Sequence, residues 1–421
     1  MIEIKPKKIE KCAVTVPGSK SYTHRILVAA ALADGISTIE NGLVSDDTLL
    51  TLNALKQMGT QIEVLPEHFV VSGTGGSLKS CRKPLYLENS GTSMRLITAL
   101  AAIGKGEYIL SGTQRMHERP LQDLLDGLHQ IKVSAISINQ NGCPPVKVRG
   151  TRVAGGKIDL NCSTSSQYLS ALLLIAPYTR RGLEIKITSG PVSKPYIDMT
   201  VDVMQRMGIE IKRSGYSLFS IKGGQVFQAG RYIVEPDCSQ AGYFWAAAAI
   251  TGASVTVRGI TADSRQGDIK FVDLLEKMGC SVIKKNDGIE VIGPPLLTGV
   301  DVDMGDMPDL VPTLAIIAAF AKGTTQIRNV AHLRVKESDR ISAVVSELEK
   351  MGIKALCRDD GIVIHGGMPH GAKIETYGDH RIAMSFALAG LNVPSVFISN
   401  ERCVEKSFPE FWNIFSRMDM A

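Results

Sequence analysis

One unit recurs along this chain, and the recurrence limits the fold more than any other feature does. Residues 19–73 hold an apolar helix (ILVAAALADG), a strand (ISTIEN), a second helix (DDTLLTLNALKQMG) and two further strands (TQIEVL and HFVVSG). The Met-Gly end of the second helix returns with its glycine at 208, 279 and 352, spaced 71 and 73 residues apart, and Gly59 stands two such periods before Gly208. A glycine there ends a helix in the left-handed conformation and turns the chain into a strand. The copy at 124–133, LLDGLHQIKV, lacks it. Strand pairs close on FVVSG, VKVRG, FSIKG, IEVIG and IVIHG. The sixth unit, from Gly378, stops after FWNIFSRM, so the N-terminal stretches IEIKP and AVTVPG are expected to supply its missing strands.

The first helices of the six units read ILVAAALA, LITALAAI, YLSALLLIA, GYFWAAAAI, LAIIAAFA and IAMSFALA. A helix apolar on every side has to be buried on every side. The second helices are amphipathic and belong outside them. The chain is also too long for one ordinary core. The expectation is an α/β fold of two domains with three units each, residues 19–235 forming one and residues 1–18 with 236–421 the other. If the buried helices run alike, their starts converge on one cleft between the domains.

Those starts are unusual: SKSYTHR (19–25), SGTSMR (90–95), STSSQ (163–167), DCSQ (237–240), MPD (307–309) and YGDHR (377–381). Ser, Thr and Asp are ordinary N-caps, and for any single start, Ser163 or Ser239 for instance, a cap is the simpler reading. A cation in the first turn opposes the helix dipole, so Lys20, Arg25, Arg95 and Arg381 after the caps ask for a bound anion to offset them. Further charges cluster in GTQRMHERP (112–120), LRVKESDR (333–340) and VEKSFPEF (404–411). Each run taken alone is a solvated face, and Glu337 with Arg340 fits a surface helix pair. Asp309 after Pro308 fits a simple cap.

Composition narrows the function classes. The net charge is +5 with no block of like charge, which suits small anionic substrates better than nucleic acid. Aromatic residues are only 5% of the chain, with no RNA-recognition or zinc-finger signature. The eight cysteines and eight histidines show no metal-ligand spacing, so no metal site and no disulfide framework is expected, and a reducing cytoplasm is. The start MIEIKPKKIEKC has no apolar signal region, and the run Leu310–Ala321 is too short to span a bilayer. PGSKS lacks the glycine spacing of a phosphate-binding P-loop, and G-x-G-x-x-G and G-x-S-x-G are both missing.

With these pieces in place the whole chain resembles the 5-enolpyruvylshikimate-3-phosphate synthase family. The resemblance is carried by PGSKSYTHR, NSGTSMR, QRMHERP, STSSQYLSALL, PVSKPYIDMT, DCSQAGYFWAAAAI, QGDIKFVDLLEKMG, MPDLVPTLA, LRVKESDR, YGDHRIAM and KSFP. It implies a two-domain inside-out α/β barrel of six βαβαββ repeats with buried parallel helices. It implies transfer of the enolpyruvyl group of phosphoenolpyruvate to the 5-hydroxyl of shikimate 3-phosphate, in the shikimate pathway to chorismate and the aromatic amino acids. No cofactor and no metal are implied. Partners would be those two anions alone, with no nucleic acid and no membrane, on a cytoplasmic monomer.

Carried over by position, Lys20, Ser21, Arg25, Ser165, Ser166, Gln167, Ser193, Tyr196, Asp309 and Lys336 would hold shikimate 3-phosphate. Lys20, Gly91, Arg115, Gln167, Arg340, His380, Arg381 and Lys406 would hold phosphoenolpyruvate. Asp309 would be the base at the 5-hydroxyl, Glu337 the proton carrier at C3, and Lys20 would touch both substrates. Two positions depart from the common pattern: Leu96 stands where many members have proline, and His332 where some have asparagine. The first bears on the pocket that glyphosate, a competitor of phosphoenolpyruvate, occupies in the family. The alternative is the sister enzyme that uses UDP-N-acetylglucosamine. It carries a loop cysteine before its Arg-Pro pair, which GTQRMHERP does not have.

Overall fold

The structure, a computed structural model, describes residues 1–418. It is mixed α/β and divides into two compact units. One is the continuous stretch Gly18–Glu235; the other joins Met1–Pro17 to Pro236–Ala421.

In the continuous unit the helices are α1 (Lys20–Leu32), α2 (Asp46–Gln57), α3 (Gly91–Ile103), α4 (Gln122–Gln130), α5 (Gln167–Ile175) and α6 (Pro195–Arg206). In the other they are α7 (Cys238–Thr251), α8 (Phe271–Lys277), α9 (Val311–Ala319), α10 (Arg340–Lys350), α11 (His380–Ala387) and α12 (Phe411–Ser416). The apolar first helices are buried as their composition demands: every residue of α7 from Cys238 to Ile250 is buried, and every residue of α9. Burying a leucine or phenylalanine side chain is worth about 1.5–3 kcal/mol, so these helices are the main apolar reserve of each core. Each unit has its own core, one built around α1, α3 and α5 and the other around α7, α9 and α11. No helix among the described residues is long and apolar enough to cross a membrane.

Five four-stranded sheets share one pattern: a parallel edge pair, then two antiparallel neighbours. Gln61–Val64 and His68–Ser72, for example, form the antiparallel half of the first, with Ile36–Glu40 beside His68–Ser72. The sixth sheet has three strands, Lys373–Ile374, Val396–Ile398 and Ile2–Ile4.

The N-terminal segment therefore completes the sixth sheet only in part. IEI joins it, as expected, but Lys11–Thr15 of the AVTVPG stretch pairs in parallel with Ser254–Arg258 instead. The strand Arg231–Ile233, just before α7 in sequence, pairs in parallel with Ile36–Glu40 of the continuous unit. Each unit thus takes the edge strand that precedes the other unit's first helix. Parallel pairs need a long crossover, and here the crossover is a whole unit of chain.

The helix-ending glycines are in the left-handed region: Gly59 (φ +102°), Gly208 (+85°), Gly279 (+108°) and Gly352 (+78°). In the copy without the glycine, Lys132 takes the left-handed conformation itself (φ +66°).

Candidate active-site residues

The predicted residues fall into two constellations, one in each unit. In Gly18–Glu235 the centre is Arg25, one turn into α1 and 2% exposed. Its Nε donates to Thr200 Oγ1 (2.7 Å), and its terminal nitrogens donate to the carbonyls of Ser21 (2.8 Å) and Tyr196 (3.0 Å) and to Ser170 Oγ (3.4 Å). The guanidinium also lies over the Tyr196 ring, 5.9 Å from its centre. All of these partners are neutral, and burial lowers the Arg25 pKa to about 10. A buried cation held only by hydroxyls, carbonyls and a ring is a site built for an anion from outside.

Lys20, in the first turn of α1, meets Asp47 Oδ2 at 3.0 Å. The cation at this helix start is thus offset by a carboxylate of its own unit, not left for a ligand alone. Ser19 caps α1 through the Tyr22 amide. Ser163 is not the cap of α5: its amide and hydroxyl both donate to Asn161 Oδ1, and Ser166 stands at the N-cap. Neither Ser166 nor Ser90, the N-cap of α3, makes a side-chain capping bond, so the first amides of those helices are not closed by their caps. Ser165 Oγ accepts the Gln167 amide at 3.2 Å, and Gln167 Nε2 donates to Thr92 Oγ1 at 3.0 Å, linking the starts of α5 and α3. Ser193 is left-handed (φ +53°) and leads into α6, which carries Tyr196.

Around Gly91 the crowding is electrostatic. A Cβ at that position would lie 2.4 Å from an Arg119 nitrogen and 3.0 Å from an Arg95 nitrogen. Arg95 is anchored by the Pro120 carbonyl (2.7 Å), and Arg119 by the backbone and side-chain oxygens of Asn89 (2.9 and 3.0 Å). Glycine lets two guanidiniums close over the start of α3. Arg115 sits apart on a single 3₁₀ turn, paired with Glu118 at 2.8 Å.

In the second unit two arginines share one carboxylate. Arg340 donates to Asp309 Oδ1 (2.9 Å) and Arg381 to Asp309 Oδ2 (2.7 Å). Arg340, 1% exposed, also holds Asp379 through Nε (2.8 Å) and a terminal nitrogen (3.2 Å), and Glu337 at 3.0 Å. Burial alone would lower its pKa, but Asp379, Glu337 and Asp309 together raise it. Arg381 reaches Tyr243 Oη (3.2 Å) and Ser239 Oγ (2.9 Å). Asp379 caps α11 through the Arg381 amide, and Asp237 caps α7 through the amides of Ser239 and Gln240. The simple cap reading of DCSQ and YGDHR holds, but the capping atom belongs to aspartate, not to Ser239.

Glu337 lies between Lys336, just past the 3₁₀ turn Ala331–Val335, and the N-cap Asp339 of α10. His380 is buried at the start of α11, its Nδ1 3.7 Å from Asp379. Lys406 ends the 3₁₀ helix Glu401–Lys406. His332 is buried in the same turn that leads to Lys336; burial, then Lys336, push its pKa down to about 3, so its ring is neutral. Asp309, Glu337, Arg340 and Arg381 are brought together by direct bonds.

Several partners were not assigned from sequence: Asp47, Thr200, Ser170, Arg119, Tyr243 and Asp379. Thr200 and Ser170 had a usable signal, hydroxyls inside otherwise buried helices. Asp379 had another, an aspartate placed directly before His-Arg at a helix start.

Chemically, the first constellation offers a buried cation beside helix starts whose N-cap serines make no side-chain capping bond. The second offers two guanidiniums that can hold a carboxylate, with two acids among them able to carry protons. Comparison with known proteins identifies the family. The family model for EPSP synthase (3-phosphoshikimate 1-carboxyvinyltransferase) matches residues 4–415. The 3-phosphoshikimate 1-carboxyvinyltransferase of Trichormus variabilis is 44% identical over 410 residues, covering 96% of each chain. That of Syntrophobacter fumaroxidans is 43% identical over 417 residues, covering 99% of each. The solved EPSP synthase of Acinetobacter baumannii superposes with a TM-score of 0.83 at 30% identity, over 100% of this chain and 98% of that one. On these grounds the chain belongs to the EPSP synthase family.

Proposed function

We propose that this protein transfers the enolpyruvyl group of phosphoenolpyruvate to the 5-hydroxyl of shikimate 3-phosphate, releasing phosphate. The observation that carries the reading is the shared grip of Arg340 and Arg381 on Asp309. A substrate carboxylate arriving at those two guanidiniums competes with Asp309 and loosens it. The loosened carboxylate is then the base for the acceptor hydroxyl.

The chemistry balances without a redox step. Asp309 takes the proton of the 5-hydroxyl as its oxygen attacks C2 of phosphoenolpyruvate, and Glu337 delivers a proton to C3. The tetrahedral intermediate then loses a C3 proton, back to Glu337, as the C2–O bond to phosphate breaks; the proton held by Asp309 passes to the departing phosphate, so the double bond returns and both acids are reset. Gly91, Arg115 and Lys406 bind the phosphate of phosphoenolpyruvate, with His380 supporting that side. Arg25, Ser21, Ser165, Ser166, Ser193, Tyr196 and Lys336 hold shikimate 3-phosphate, and Lys20 and Gln167 touch both substrates. The buried, unpaired charge of Arg25 supports that assignment.

On the same reading the domains are 19–235 and 1–18 with 236–421, and the two constellations serve one reaction. The fold is then a pair of inside-out α/β barrels of three βαβαββ units each. The repeated sheet pattern and the buried first helices support this. The enzyme is read as a cytoplasmic monomer.

The test is phosphate release from phosphoenolpyruvate, run with shikimate 3-phosphate and, separately, with UDP-N-acetylglucosamine. Release with the first only is expected. Release with the UDP sugar only reassigns the acceptor, and silence with both from folded protein removes the reading.

A further inference from the structure

We propose that Asp268 is the protonated member of a largely buried cluster of five carboxyls and two guanidiniums, and that its neutral carboxyl keeps Arg381 placed for the substrate carboxylate. The carboxyls are Asp237, Asp268, Asp309, Glu337 and Asp379; the guanidiniums are Arg340 and Arg381. Four of the five acids have donors on other residues. Asp309 has both arginines, Asp379 has Arg340, the Arg381 amide and Ser338 Oγ (3.0 Å), Glu337 has Arg340, and Asp237 has two amides and the Ser239 hydroxyl (2.7 Å).

Asp268 is the least supplied: its carboxyl accepts its own backbone amide, but it is 4% exposed and its Oδ1 is buried without a hydrogen-bond partner. Its place is fixed by the residue before the turn. Gln266 donates to the Pro236 carbonyl at 2.7 Å and accepts the Cys238 amide at 3.1 Å, which ties the 3₁₀ turn Gly267–Lys270 to the start of α7. That brings Asp268 against Asp237 and Asp309, with Arg381 the one cation facing it. Asp237, Asp268 and Asp309 crowd Arg381, and of the three only Asp309 also has Arg340, so all three cannot ionise at low cost, and the proton belongs on the acid with the fewest donors. Burial first, and then Asp309, raise the Asp268 pKa to about 8.

The role follows from what ionisation does. A charged Asp268 draws Arg381 off Ser239 and Asp309 and repels an incoming carboxylate. A neutral one leaves the guanidinium where it is. Asp268 is thus a positioning residue acting through Arg381, and this role rests on the reaction proposed above.

The experiment pairs kinetics with a direct readout. In wild type, KM for phosphoenolpyruvate should rise about tenfold from pH 7 to pH 9, one unit past the shifted pKa, with kcat changed little. Asp268→Asn, the isosteric neutral variant, should abolish that rise, whereas Asp268→Ala should not restore the low KM. Carboxyl NMR of aspartate-labelled apo-protein should show one group titrating near 8, absent from Asp268→Asn. All aspartates titrating below 5 overturns the proposal whether or not the enzyme works. An alkaline KM rise retained in Asp268→Asn overturns it too. Failure with shikimate 3-phosphate would instead sink the functional reading and leave the NMR result standing.

Discussion

The molecule buries two arginines at its candidate sites and treats them in opposite ways. Arg25 is surrounded by hydroxyls, carbonyls and a tyrosine ring, and burial depresses its pKa. Arg340 is surrounded by Asp379, Glu337 and Asp309, and these raise its pKa despite burial. The helix starts differ in the same sense: Asp237 and Asp379 cap α7 and α11, whereas the N-cap serines of α3 and α5 make no side-chain capping bond. In one unit Arg25 is met by neutral groups, although Lys20 on the same helix is offset by Asp47. The other carries its own anions against its arginines. On the proposed function the first arrangement serves binding, and the second couples binding to the release of an acid that can do chemistry.

Breaking the second arrangement should have the largest effect. Asp309→Ala removes the proposed base, and loss of a positioned acid–base group costs about 10²–10⁴ in kcat. Because Asp309 competes with substrate for Arg340 and Arg381, KM for phosphoenolpyruvate should stay level or fall. Steady-state kinetics decide the matter, and a raised KM with unchanged kcat would remove the exchange idea.

Arg340→Met attacks the same cluster from its cation. It leaves Asp379, which is fully buried, without its guanidinium, and breaking a buried pair this way costs about 3–5 kcal/mol. Denaturant unfolding should show that loss. A change below about 1 kcal/mol, the worth of an exposed pair, would mean the acids are not truly compensated by Arg340.

Arg25→Met sharpens the contrast. It removes a buried charge that has no carboxylate to lose, so the ligand-free protein should be as stable as wild type or more so. Shikimate 3-phosphate should still lose about 2–5 kcal/mol of affinity, the cost of deleting one partner of a buried charge pair. Calorimetric titration beside thermal melting separates the two effects. A large drop in ligand-free stability would show that Arg25 is structural.

Much of this was legible in the sequence, for physical reasons. The all-round apolar helices could only be buried, and the Met-Gly ends could only be left-handed turns, as Gly59 and Gly352 show. Arg340, Asp309 and Glu337 were singled out through the family's motifs, and the structure joins them by direct bonds. What stayed hidden was pairing over distance. Nothing local in KCAVT says that it lies against Ser254–Arg258 and not in the sixth sheet, because any strand with that alternation fits either edge. Lys20 was read as awaiting an anion, yet Asp47 reaches it from another helix, a contact that spacing along α1 cannot reveal. Asp268 was not singled out at all, because nothing local in QGDIK shows that its carboxyl is buried.

The exchanged edge strands have a consequence for how the chain is made. Gly18–Glu235 holds all its strands in one stretch, so it can close as soon as it leaves the ribosome. The other unit starts with residues that are synthesised first and used last. Ile2–Ile4 has to wait for Val396–Ile398, nearly the whole chain later, which at about 5–20 residues per second is tens of seconds of translation. During that interval two short strands with apolar faces hang from a finished neighbour, unpaired. The order of synthesis thus gives the nascent chain a folded half that holds the phosphate-type site well before the half that carries the acids.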